Sequence, residues 1–182
     1  MVTSSEPPTS MEIARLLLDA GAVRFGDFTL ASGQRSDVYV DVKKAWTDPG
    51  RLERLAQGLA RHVGDADCLA GMELGAVPLV VATALVVHRP LIVIRKAAKE
   101  HGTRQRYEGE IAPGARALLI EDVSTTGGSA IESIEVLRAA GARVDRAVVV
   151  VDREQGAREK LASVGVHLTA LATLTQVRGA RA

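Results

Sequence analysis

Two adjacent carboxylates, Glu121 and Asp122, follow the apolar run at residues 117–120. A tract of hydroxyls and glycines, Thr125, Thr126, Gly127, Gly128 and Ser129, begins three positions later. Backbone N–H groups at the start of a helix have no partner within it. Flanked by hydroxyls and left uncovered by glycine, they form a cradle for a phosphate. The two acids repel such a phosphate. They suit its neighbours instead: sugar hydroxyls, which donate hydrogen bonds to a carboxylate, or a divalent cation, which takes oxygen ligands. A ligand that joins vicinal hydroxyls to a terminal phosphate is a ribose phosphate. Acids that merely cap a turn are the plainer reading of an isolated pair, and the cradle after them weighs against it. Neither G-x-x-x-x-G-K-[ST] nor a strand-borne G-x-G-x-x-G occurs, which excludes the two commoner phosphate loops.

Two further groups have usable chemistry. Arg95, Lys96, Lys99 and His101 fall within seven residues, in a stretch too poor in apolar side chains to pack as a helix. Taken alone, that stretch is a solvated loop. The apolar run ending in Asp152 places Arg153 at the end of a strand, where its planar fork can clasp a carboxylate in bidentate fashion. Cys68 has no second cysteine to bridge and sits among apolar residues, as expected of a buried, inert thiol in a reducing setting. His62, His88 and His167 lack ligand spacing and read as structural.

These groups need a scaffold that brings strand ends together. Residues 11–23 carry helical spacing at Ile13, Leu16, Leu17 and Ala20, up to Gly21. Residues 25–42 alternate apolar and polar with turn residues between, which predicts a small hairpin or hood. Residues 48–63 form an amphipathic helix, with Asp48 as N-cap and Pro49 in the first turn. From Cys68 onward a short apolar strand, a glycine-containing turn and a helix recur. This order predicts an α/β fold with a mostly parallel central sheet covered by helices on both faces. Ligands bind such sheets beyond the carboxyl ends of the strands. Glu121 and Asp122 are expected to emerge there after a strand at 117–120. The next helix should begin near Ala130 and turn Ile131, Ile134 and Leu137 to the sheet. The apolar run at 76–87 is too short to span a membrane and predicts a buried helix.

The segment "LLIEDVSTTGGS" resembles the signature of type I phosphoribosyltransferases, enzymes that bind phosphoribosyl pyrophosphate with magnesium. The resemblance implies that fold, with Glu121 and Asp122 on the ribose hydroxyls. It puts Val123, Ser124, Thr125, Thr126, Gly127, Gly128 and Ser129 around the 5′-phosphate, although Ser124 stands where an apolar residue is usual. "RKAAKEHG" is similar to a loop of orotate phosphoribosyltransferases that closes over the neighbouring subunit's site. On that resemblance Arg95, Lys96, Lys99 and His101 contact the donor, Lys99 and His101 are catalytic together with Asp122, and the protein is a homodimer with shared active sites. Cations aimed at a departing pyrophosphate stabilise its developing charge, and a closing loop excludes water. The D-R-x-x-G stretch resembles the family's orotate-binding segment, so Arg153 and Thr125 would contact the pyrimidine. "FTLASG" matches the hood, from which Tyr39 would stack on the base. Mg²⁺ is the implied cofactor, held mainly by the donor with help from Glu121 and Asp122 and with no dedicated protein site. Some bacterial members carry lysine where this chain has Ala31 and Gly75; either Arg35, Lys43 or Lys44 compensates, or turnover is lower than in lysine-bearing relatives.

With 182 residues a single domain is expected: a flexible leader at 1–10, then 11–182 with a hood from about 11–45 and a core from about 48–175. The leader lacks the basic and apolar regions of a signal peptide, which fits a cytoplasmic protein. The 23 basic and 22 acidic residues nearly cancel, which argues against nucleic acid or membrane as a partner. The expected activity is transfer of a phosphoribosyl group from its pyrophosphate to orotate in pyrimidine biosynthesis. A transferase for a purine or other base is one alternative; Arg153 opposes it, because a purine offers no carboxylate. A non-catalytic regulator that binds phosphoribosyl pyrophosphate is another, and the retained loop cations oppose it.

Overall fold

A computed structural model describes residues 6–29, 35–97 and 105–181. Helix α1 (Ser10–Asp19) opens on a reciprocal cap. The Glu12 amide donates to Thr9 Oγ1 at 3.3 Å, and the Thr9 amide donates to Glu12 Oε2 at 2.7 Å. Within the expected leader, Glu6 to Thr9 are tied down. Pro8 is buried, and Arg54 and Arg61 donate to the carbonyls of Glu6 and Pro8. A hairpin of β1 (Val23–Thr29) and β2 (Arg35–Val40) follows, paired antiparallel with a register shift between Phe25 and Phe28. Next come the short helix α2 (Lys43–Trp46) and α3 (Pro49–Ala60), which Asp48 caps by accepting from the Arg51 amide at 2.9 Å.

The central sheet contains β3 (Cys68–Met72), β4 (Leu91–Ile94), β5 (Tyr107–Glu108), β6 (Arg116–Ser124), β7 (Arg143–Asp152) and β8 (His167–Thr173), in the order β5-β4-β3-β6-β7-β8. All pairs are parallel except β4 with β5. Helix α4 (Val77–Val87) links β3 to β4, α5 (Gly128–Ala139) links β6 to β7, α6 (Ala157–Ala162) links β7 to β8, and α7 (Leu174–Gly179) ends the fold.

Alternation along β6 shows how the sheet is covered. Leu118 and Ile120 enter a core with residues of α1, α3, α4 and α7, while Ala117 and Leu119 enter a second core with α5 and α6. Each fully buried Leu or Ile contributes roughly 1.5–3 kcal/mol, so both faces are firmly held. After β3 the chain moves outward to β4 and β5. It then returns to the other side of β3 as β6, which makes the β3/β6 junction the switch point of the sheet.

Three expectations change. Strand β6 runs on through the acids, so Glu121 and Asp122 belong to the strand. The parallel ladder carries them, pairing Glu121 with Val149. Helix α5 begins at Gly128, and its buried stripe is Ala130, Ser133, Ile134 and Leu137, with Ile131 only partly covered, as a 3.6-residue pitch requires. Helix α4 is buried on one face through Leu79, Val80, Thr83 and Ala84; Leu85 is 71% exposed, and Val81 and Val86 also face outward. The stretch expected as the hood, 11–45, holds a two-stranded sheet of its own, β1–β2, beside helix α1. Ile13, Ala14 and Leu17 of α1 pack in the core with Leu171, Leu174 and Val177. Helix α7 tethers the hairpin: Arg178 donates to both Asp37 oxygens at 2.7 and 2.9 Å, and the Arg181 guanidinium lies 4.3 Å from the Phe25 ring centre. No helix among the described residues is long and apolar enough to cross a membrane.

Candidate active site

At the switch point lies a cleft of about 300 Å³ lined by residues that include Lys43, Gly75, Lys96, Glu121, Asp122 and Ser129. Lys43 arrives from the start of α2, Lys96 from just past the end of β4, Glu121 and Asp122 from the end of β6, and Ser129 from the first turn of α5. Glu121 is only 6% exposed, and its Oε1 has no hydrogen-bond partner. Burial, reinforced by the charge of Asp122, pushes its pKa up to about 8, against the pull of Lys96 and the Ser133 hydroxyl. Burial therefore favours the protonated form of Glu121 in the free site. Asp122 is also raised by burial, and is opposed by the Val123 amide, which donates to Oδ1 at 2.9 Å, and by Lys43.

The Glu121 shift makes a stability prediction. Its folded pKa lies above the ordinary carboxyl value, so between about pH 4.5 and 8 the folded chain keeps a proton that the unfolded chain loses. Stability must fall as pH rises through that window, by at most ~1.4 kcal/mol per unit, and level off above it. Thermal unfolding of Glu121→Gln at pH 5 and pH 8 should lack this component. An identical pH slope in wild type and variant would show that Glu121 is ionised throughout.

Gly75 explains how Asp122 is seated. A Cβ built there would fall far inside contact distance of the Asp122 carboxylate, which fills the space over the glycine. Beyond β6, Gly127 takes a left-handed φ of 78° and packs against Leu161 and Ala157, so glycine is required for both conformation and space. No side chain caps α5, which leaves its first N–H groups for a ligand, and nothing stands within 4 Å of a Cβ at Gly128. Thr126 and Ser129 are exposed beside them, and Thr125 is half-buried.

A second set of contacts joins this loop to the turn after β7. Ser124 Oγ donates to Asp152 Oδ1 at 3.2 Å, and the Arg153 amide donates to the Ser124 carbonyl at 2.9 Å. Asp152, fully buried, also accepts from the Glu154 amide and from Arg158 Nε at 2.8 Å. Arg153 is 9% exposed; it reaches Ser36 of the hood at 3.3 Å and leaves Nε without a partner. A buried guanidinium with spare donors fits a planar anion. Tyr39 sits in the hood with the Arg24 guanidinium 5.2 Å from its ring centre and the Phe28 ring 5.7 Å away.

Lys99, His101 and Ala31 lie outside the described residues. Of the other loop cations, Lys96 lines the cleft and its amide donates to Glu73 Oε1 at 2.9 Å, whereas Arg95 pairs with Glu108 at 3.1 Å. Sequence reasoning missed Arg106. It donates to the carbonyls of Arg95 and Lys96 and pairs with Glu132 of α5, thereby fixing the base of the loop. Nothing in its local pattern marks that role. Arg35 pairs with Asp27 in the hood, while Lys43 lies in the cleft.

A phosphate cradle and an acid pair at the switch point of such a sheet define a phosphoribosyl-binding enzyme, and the phosphoribosyl transferase domain model matches residues 49–171. An orotate phosphoribosyltransferase of Natronomonas pharaonis is 48% identical over 92% of this chain and 96% of its own, and one from Methanopyrus kandleri is 46% identical over 93% and 92%. The chain belongs to the orotate phosphoribosyltransferase family. The crystal structure of the Aeropyrum pernix orotate phosphoribosyltransferase superposes with a TM-score of 0.83 at 38% identity, over 92% of this chain and 96% of that one. The Mycobacterium tuberculosis enzyme in complex with 5-phospho-alpha-D-ribosyl 1-diphosphate gives 0.76 at 28% identity, over 94% and 99%.

Proposed function

We propose that this chain transfers the phosphoribosyl group of phosphoribosyl pyrophosphate to N1 of orotate, giving orotidine 5′-monophosphate and pyrophosphate. The observation that carries the acceptor is Arg153, a buried guanidinium with an unpartnered Nε beside the phosphate loop. Orotate presents a carboxylate to it; uracil and the purines do not. The cradle of Thr125 to Ser129 holds the 5′-phosphate, and Glu121 with Asp122 receives the ribose hydroxyls. Orotate N1, deprotonated in the bound ligand, forms the bond to C1 as the C1–O bond to pyrophosphate breaks, with both electrons leaving on oxygen. Cations around the cleft stabilise that departing charge. Lys99 and His101 are assigned to it through the loop.

The acid pair fits Mg²⁺ as a shared ion. Glu121 Oε1 is a buried oxygen without a partner, Asp122 adjoins it, and no three ligating side chains among the described residues are grouped so as to hold an ion by themselves. Magnesium accepts that arrangement, one or two carboxylates with substrate phosphates and water. When bound it neutralises charge on the diphosphate.

A homodimer with shared sites fits the outward apolar face of α4, continued at the cleft by Leu74, which is 63% exposed. A cytoplasmic setting fits the buried free thiol of Cys68. The reverse reaction tests the assignment: orotidine 5′-monophosphate with pyrophosphate and Mg²⁺ should regenerate orotate. No orotate, together with breakdown of a purine ribonucleotide, would overturn it.

A further inference from the structure

The cleft holds three carboxylates, from Glu73, Glu121 and Asp122, although its proposed ligand carries a diphosphate. Among the described residues that line it, Lys43 and Lys96 are the cations. They flank the acid pair from two sides: Lys96 acts on Glu121, and Lys43 acts on Asp122. The loop after β3 supplies no cation of its own, since Gly75 lies under the Asp122 carboxylate and has no room for a side chain. Lys43 comes instead from the start of α2. Its Nζ is held on Asp41 Oδ1 at 2.6 Å, and 47% of its side chain stays open. The anchor is rigid, because the Asp41 amide donates to the Ala22 carbonyl at 2.7 Å and Ala45 of α2 is fully buried. An ammonium has three donors, and the ion pair with Asp41 leaves donors free for phosphate oxygens. Asp41 also raises the pKa of Lys43, so the group keeps its charge as the site fills.

We propose that Lys43 is a diphosphate-binding residue, an ammonium paired with Asp41 in the cleft it shares with Asp122, that contacts the pyrophosphate of the donor as it departs. It supplies from α2 the positive charge that the loop around Gly75 cannot carry. This rests on the donor assigned above, and the two are tested apart by using inorganic pyrophosphate with Mg²⁺ as the probe in calorimetry. Lys43→Gln should weaken pyrophosphate binding ~10- to 100-fold, the range of one or two charge-assisted hydrogen bonds, while ribose 5-phosphate and orotate bind as before. Lys43→Arg should restore most of the lost affinity. In steady state Lys43→Gln should raise the KM for phosphoribosyl pyrophosphate and leave that for orotate unchanged. Unaltered pyrophosphate affinity in Lys43→Gln, or an equal loss for pyrophosphate and ribose 5-phosphate, would overturn the proposal. Wild-type protein that binds pyrophosphate through Lys43 yet converts no orotate would support it and sink the acceptor reading alone.

Discussion

Replacing Arg153 by alanine should lower kcat/KM for orotate ~10²- to 10³-fold, about 3–4 kcal/mol, and leave the affinity for phosphoribosyl pyrophosphate nearly unchanged. The side chain is buried, so its loss strands the substrate carboxylate in a place from which water is largely excluded. Lysine should not rescue, because a point charge cannot reproduce a planar two-donor contact. The backbone of the variant should stay in place. The Arg153 amide still donates to Ser124, and Asp152 still gathers Ser124, Glu154 and Arg158. Separate KM values for the two substrates check this. An equal rise in both would mean that Arg153 supports the whole loop and does not read the acceptor.

The second large effect is expected at Gly75. Even alanine there places a methyl where the Asp122 carboxylate now sits, so the acid must leave its present place in the cleft. Overpacking of this kind costs ~1–3 kcal/mol of stability. The functional cost should be larger, with kcat/KM for phosphoribosyl pyrophosphate down ~10²-fold, because Asp122 then meets the donor in the wrong geometry. Gly75→Lys should fare no better despite its added charge. Activity near the wild-type level in Gly75→Ala would show that Asp122 has another seat available and that its present one is not the functional position.

The parts legible in the sequence are those whose chemistry is local. The strand, acid pair, hydroxyl and glycine tract and following helix are contiguous from Ala117 to Leu137, so one stretch displays every part of the proposed donor cradle. The position of Arg153 at the end of β7 was legible for the same reason, because it follows an apolar run. The burial of Glu121 was not legible. Pattern reading ends a strand at the first acid, whereas β6 continues through Ser124 because its ladder with β7 outweighs the cost of two carboxylates. Such local violations are expected at functional positions. Gly75 and Lys43 come from separate elements far from Asp122 in sequence; the adjacency of β3 and β6 brings the first beside it, and the placing of α2 brings the second. Helix α4 misled for a different reason. An unbroken apolar run has no period to show which side faces out, so the exposed face bearing Leu85 was invisible.

The central claim is that one cleft holds a ribose donor while Arg153 selects the acceptor by its carboxylate. The most direct measurement follows the absorbance of each base after the protein is mixed with phosphoribosyl pyrophosphate and Mg²⁺, with orotate, uracil and the purines in parallel. The account predicts loss of orotate alone, with one pyrophosphate released for each orotate consumed. Consumption of uracil or a purine with orotate untouched would contradict it.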